Sequence, residues 1–188
     1  MRHIEIDIES MGTTPGSAIL EIGAVEFFPE APAGQGIGRT FSARISLQSC
    51  LIQHLTIDDD TVAWWRTQAP EAIESLCRGE SIPLHEALDS FTQWIGPDAS
   101  KTQIWCKGGS FDFPLLAAAY RACGQQVPWK FWNENCHRTL LKLCKTLHGY
   151  TPPPHTGTAH NAQDDAIYQA SIALECLALL SPQEAGSK

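Results

Sequence analysis

The stretch Ile4–Ser10, IEIDIES, alternates isoleucine with acid, so a strand built from it has an apolar face and a face carrying Glu5, Asp7 and Glu9. No lysine or arginine is interleaved with the acids. Like charges brought together inside a fold are costly unless something positive sits among them. The scale is the roughly 3–5 kcal/mol lost when a buried ion pair is left with one partner. A chain that buries this strand has to bring a counter-charge from elsewhere.

The segments that follow define an α/β domain. Residues 2–8 read as a first strand, and 18–28 (AILEIGAVEFF) as a second, too apolar to be half-exposed and therefore central. A Gly/Pro/Ala-rich loop, PEAPAGQGIGRT, leads to a third strand over 40–46. The short connections favour an antiparallel meander. Helical spacing then takes over in DDDTVAWWRTQ, which opens on capping acids, and in PLHEALDSFTQWIG, bounded by proline and glycine. A fourth strand is expected at 103–107. The helix of GSFDFPLLAAAYRACG follows, with Ser110 as N-cap and Gly124 as stop. Residues 127–132 read as a fifth strand, 136–148 as a helix, and about 161–180 as a final helix with a buried stripe of Ala166, Ala170, Ala173, Leu174 and Leu177. The order predicts a five-stranded mixed sheet flanked by helices, in one domain over 1–181 with a tail at 182–188.

Composition narrows the class. With 43% hydrophobic and 18% charged residues the chain is globular rather than disordered. It shows neither a bilayer-length apolar run nor a signal pattern at Met1, so no membrane role is expected. Seven cysteines, an odd number scattered through apolar stretches, indicate reduced core thiols in a cytoplasmic protein. The net charge of -8 argues against a broadly basic nucleic-acid surface, but acids that hold divalent cations reverse the local sign.

Acids recur at three places: Asp7 and Glu9 on the first strand, Asp112 at the start of a helix after the fourth, and Asp164-Asp165 in HNAQDDA at the last helix. Hard oxygen donors of this kind suit Mg²⁺ or Mn²⁺. His160 precedes the helix, with Asn161 as its N-cap and Asp164 at the capping-box position. Asp165 lies about one turn in, so imidazole and carboxylate can face one site, as activation of water near neutral pH requires.

Asp7-Ile8-Glu9 within DIESMG, Asp112 within GSFDFPLL, and His160 to Asp165 as His-x-Ala-x-x-Asp together resemble the DnaQ-like, or DEDDh, 3′→5′ exonucleases of the ribonuclease H-like superfamily. TVAWWRTQ and WCKGGSFD are similar to the single-domain exoribonuclease-like branch, related to exonuclease VIII-type enzymes. The resemblance implies a ribonuclease H-like fold and hydrolysis of single-stranded nucleic acid or 3′ overhangs to nucleoside 5′-monophosphates, with the sugar tilted towards RNA. It also implies two Mg²⁺ or Mn²⁺ ions, roughly 3.5–4 Å apart, held by Asp7, Glu9, Asp112 and Asp165. His160 would be the general base, one metal carrying the water and the other stabilising the leaving 3′ oxygen. Relatives often work as homodimers, which the acidic chain makes attractive here.

Other residues are weighed beside these. Glu5 receives no role and is expected at the solvent or an edge, and Asp164 is read as a cap. His155, in the proline-rich loop, competes with His160. Trp64 and Trp65 cannot both face one way; one is core and the other can stack on a base, with Trp65 taken as the substrate residue. Met11 and Gly12 resemble the segment along the terminal nucleotide, and Lys107 stands where many relatives carry asparagine, free to meet a phosphate. The glycines 34, 36 and 38 lack a following helix and read as a hairpin. His137, Cys144 and His148 share a helix face, without a Cys-x-x-Cys pair to favour zinc. Two alternatives stay open: a catalytically idle binding module or polymerase-associated proofreading subunit, and a short-oligonucleotide phosphodiesterase.

Overall fold

In the computed structural model, residues 1–32, 34–77 and 79–181 are described; the tail expected at 182–188 lies outside them. Three strands, β1 (His3–Ser10), β2 (Ile19–Phe27) and β3 (Ile37–Arg44), form an antiparallel meander. β4 (Gln103–Cys106) and β5 (Glu134–Cys136) join parallel on the other side, giving the order β3-β2-β1-β4-β5. This is the five-stranded mixed sheet that the order of apolar segments predicts. Three of its edges fall elsewhere than expected: β1 runs on to Ser10, β3 begins at Ile37, and β5 is Glu134–Cys136 rather than 127–132.

The helices are α1 (Leu47–Ile52), α2 (Asp59–Trp65), α3 (Pro70–Cys77), α4 (Leu84–Ile95), α5 (Asp112–Ala122), α6 (His137–His148) and α7 (Ala162–Leu180). Asp58 caps α2 by accepting from the Thr61 N–H, and Gly149 ends α6 in the left-handed conformation. Ser110 does not cap α5: Phe111 holds that position, and no side chain bonds the helix start.

Central β1 separates two apolar layers. Ile4, Ile6 and Ile8 pack with Leu84, Leu88 and Phe91 of α4 and with Leu115 and Leu116 of α5. On the opposite face Val25, Phe27 and Trp105 meet Leu140 and Cys144 of α6 and Ala166, Ala170 and Ala173 of α7. Leu174 and Leu177 are only partly buried, at the margin of this second layer. The acidic face of β1 is therefore roofed by helices.

That roof corrects the expectation for Glu5. It is 0% exposed, opposite Val25 and Trp105 in the ladders, with an oxygen 3.6 Å from the Nδ1 of equally buried His137. A strand with neighbours on both sides and helices on both faces has no solvent face near its middle, whatever its alternation. The cysteines also divide: Cys50, Cys106, Cys144 and Cys176 are buried as expected, but Cys77 is exposed. His148 is exposed while His137 and Cys144 are buried, so no zinc cluster forms there.

Candidate active site

A glycine decides where the last helix begins. Gly23 of β2 is the ladder partner of Asp7, and a Cβ built on it would lie 2.1 Å from the Ala162 carbonyl carbon. Only bare backbone lets the start of α7 approach so closely. Glu21, the partner of Glu9, receives that helix start: its carboxylate faces the Ala162 N–H (3.4 Å) and the Asn161 amide (3.5 Å), and accepts from the Ser42 hydroxyl (3.1 Å). Sequence reasoning gave Glu21 no role, and its strand pattern carried no signal for one. Asn161 caps the helix as expected, accepting from the Asp164 N–H at 3.0 Å. Asp164 caps the preceding loop instead of completing a capping box, accepting from the Thr158 N–H at 2.8 Å.

This seating brings the third motif over β1. One donor atom each from Glu9, His160 and Asp165 lie within 4.8 Å of one another. His160 has a left-handed backbone, φ 61°; its N–H donates to Asp165 Oδ2 at 2.9 Å, and its Nδ1 stands 4.0 Å from Glu9 Oε1. His155 is the nearer histidine to Asp165, its Nε2 being 2.6 Å from Oδ1. Gln169, one turn further along α7, donates to Asp7 Oδ1 at 2.8 Å. Asp112, 4% exposed, completes the cluster from the first turn of α5.

Ionisation follows from crowding. Burial, then the charges of Asp112, Glu9 and Asp165, hold Asp7 well above the carboxylate range. Glu9 is pushed up to about 8, by burial first and then by Asp165, Glu21 and Asp112. Burial pushes Asp112 up to about 7. Among the described residues no lysine or arginine pairs with any of the four acids. A cluster so short of positive charge, built from oxygen donors with one imidazole, fits a hard divalent cation.

Asp7, Glu9, His160 and Asp165 floor a cavity of about 800 Å³, walled by Ser10, Thr13, Asp58, Asp60, Trp64 and Lys107 among others, with Asp112 buried behind it. Both tryptophans line the cavity, Trp64 and the expected substrate residue Trp65 alike. Trp65 is 7% exposed, its indole N–H donating to the Ser10 carbonyl at 3.0 Å, whereas Trp64 is 43% exposed. Both rings meet the His160 imidazole edge-on, at 5.1 Å for Trp64 and 5.9 Å for Trp65. Lys107 is exposed and lies in the cavity wall. Met11 packs against the first apolar layer, and Gly12 is buried where a Cβ would come within 2.3 Å of Ser17 Oγ. Neither lines the cavity; Ser10 and Thr13 do.

The family model of the Rv2179c-like 3′-5′ exoribonuclease domain matches residues 2–177. The exodeoxyribonuclease of Enterobacteria phage T4 is 26% identical over 169 residues, taking in 79% of this chain and 74% of that protein. Among solved structures, cell-death related nuclease 4 (CRN-4) superimposes with TM-score 0.62 at 14% identity, over 95% of this chain and 64% of that one. The nuclease domain of 3'hExo, a DEDDh family member solved bound to rAMP, gives TM-score 0.57 at 15% identity, over 94% and 92%. The chain spans less than two thirds of CRN-4, and at these identities the structural likeness is one of fold. The family match, by contrast, takes in all the acids and His160: this chain belongs to the Rv2179c-like 3′–5′ exoribonuclease domain family.

Proposed function

We propose that the protein removes nucleotides from the 3′ end of single-stranded nucleic acid or of 3′ overhangs, with RNA as the preferred substrate and nucleoside 5′-monophosphates as products. The observation that carries this reading is the convergence of Asp7, Glu9, Asp165 and His160 on one cavity, with buried Asp112 close enough to act on Asp7 and Glu9 and no lysine or arginine among the described residues paired with these acids. Asp7, Glu9, Asp112 and Asp165 would hold two Mg²⁺ or Mn²⁺ ions. Bound there, the ions would supply Lewis-acid stabilisation of the negative charge that develops on the phosphoryl and leaving oxygens.

The protein's own groups do the rest. His160, held over the acids by its N–H bond to Asp165 and by the two indole edges, takes the proton of the attacking water. His155 fixes the second oxygen of Asp165, so this carboxylate is oriented from both sides. Trp64 offers the outward aromatic wall for a terminal base, and Lys107 a cation for a phosphate. The family description supports RNA, and the phage relative named an exodeoxyribonuclease marks DNA as the competing sugar. We also expect a homodimer, to be checked as twice the chain mass in light scattering, and a cytoplasmic location, supported by seven free thiols.

A second reading, a phosphodiesterase for short oligonucleotides, is favoured by the cavity wall. It sets Asp58 and Asp60 at the mouth, with Lys107 the lysine or arginine among its lining residues. The test uses 5′-labelled RNA and DNA of two and of twenty nucleotides, with Mg²⁺, Mn²⁺ or chelator, and Asp7→Ala as control. A ladder shortening from the 3′ end, absent with chelator and in the variant, is expected. Cleavage confined to the dinucleotide would favour the second reading, and intact substrate under every metal condition would overturn both.

A further inference from the structure

Two cysteines that this chemistry does not use are direct partners across the sheet, beside Asp112. In the parallel ladder of β4 and β5, Cys106 is the direct partner of Cys136, so both side chains leave the sheet on one face. Adjacent strands run about 4.8 Å apart, within the roughly 4.4–6.8 Å Cα separation that a disulfide spans.

The two thiols differ in a useful way. Cys106 is fully buried in the first apolar layer, and its thiol lies against the Asp112 carboxylate. Cys136 is partly exposed and occupies the N-cap of α6. Burial there opposes ionisation, but N–H groups of Gly109, Thr139 and Arg138 and the Thr139 hydroxyl outweigh it and lower the thiol pKa. A sulfur reachable from solvent and favoured as thiolate is the one an oxidant meets first.

We propose that Cys106 and Cys136 are an oxidation-sensitive dithiol that closes to a disulfide under hydrogen peroxide and displaces Asp112. The Cys136 thiolate attacks one peroxide oxygen; the S–O bond forms, the O–O bond breaks, and the departing hydroxide is protonated to water. Cys106 sulfur then attacks the Cys136 sulfur. The S–S bond forms, the S–O bond breaks, and the departing hydroxide leaves as a second water with the Cys106 proton. Each sulfur loses one electron and the two peroxide oxygens gain them.

Closure draws the Cys106 sulfur away from Asp112 and the Cys136 sulfur away from the start of α6. The loop 107–111 between these points leads directly into Asp112, so the carboxylate cannot keep its place. The pair Cys144 and Cys176 is a built-in contrast. Their thiols interact between α6 and α7, but both residues are fully buried and offer peroxide no entry.

The experiment treats the full chain, carrying Cys77→Ser to remove the exposed thiol, with hydrogen peroxide. It is followed by alkylation in denaturant and peptide mass mapping. The expected result is loss of two hydrogens from the intact mass, a peptide linking Cys106 to Cys136, and reversal by dithiothreitol. None of these should occur with Cys136→Ser, which keeps a capping oxygen. Retention of both thiols, a linkage elsewhere, or an oxygen adduct on Cys136 without linkage would overturn the proposal. A loss of nuclease activity on the order of 100-fold, as a misplaced catalytic group produces, should track the linkage. This last readout rests on the exonuclease reading, whereas the mass map does not, so the two can fail separately.

Discussion

Removing one carboxylate from the crowded site should make the metal-free protein more stable. Glu9 is the suitable position, because its pKa rises from 4.5 to about 8. Below about pH 4.5 the group is neutral in both folded and unfolded chains and costs nothing. As pH climbs from there towards 8, the unfolded chain ionises while the folded one holds its proton, so stability is lost; above 8 the loss is constant. At roughly 1.4 kcal/mol per pKa unit, the whole interval amounts to at most about 5 kcal/mol. Water entering the cavity screens these charges and should hold the gain to roughly 2–4 kcal/mol. Glu9→Gln keeps the shape and removes the charge. Urea unfolding in chelator should show wild type and variant alike near about pH 4.5 and the variant ahead by that amount near about pH 8.5. Divalent metal should reverse the order by stabilising wild type alone, and the variant should be inactive. If the variant is no more stable than wild type at the higher pH, the crowding of charge at this site has been misread.

Three further outcomes are expected. Gly23→Ala forces a Cβ against the Ala162 backbone, and should cost about 1–3 kcal/mol in urea unfolding and on the order of 100-fold in nuclease rate. His137→Leu leaves Glu5 buried without its basic neighbour and should cost roughly 3–5 kcal/mol, most of it recovered in Glu5→Leu/His137→Leu. Trp65→Ala should lose about 3–5 kcal/mol of stability, whereas Trp64→Ala should leave the unfolding midpoint nearly unchanged and raise KM.

Much of this fold is legible where one physical signal dominates. The apolar run of β2 marks a central strand, and Asn161 before an alanine-rich stripe marks the start of α7. The signal fails where burial comes from distant elements. Glu5 is hidden by α6, which alternation along β1 cannot reveal, and Glu21 earns its place through a helix start 140 residues away. The fifth strand was misplaced because residues 127–132 are apolar for another reason. Trp129 leaves that segment to join the first apolar layer and donates to Glu134, while the three-residue strand beyond has no alternation to read. Short helices such as α1 and α3 likewise offer too few turns for a period to emerge. At the site, the resemblance of the three motifs points to the four acids and His160 but not to which tryptophan is the more exposed. That depends on the bond from Trp65 to Ser10, a contact across the fold.

The approach at Gly23 bears on how this molecule can move. Where helix and strand are separated by side chains, rotamer changes let them slide by fractions of an ångström; here backbone rests on backbone and no such cushion exists. β2 and the first turn of α7 should therefore behave as one rigid body, with amides that exchange hydrogen together and only on cooperative opening. Any compliance of the cavity should then fall to the opposite wall, α2 with Trp64. The half of the site built on β2 and α7 should be stiff, and the aromatic wall the half free to give.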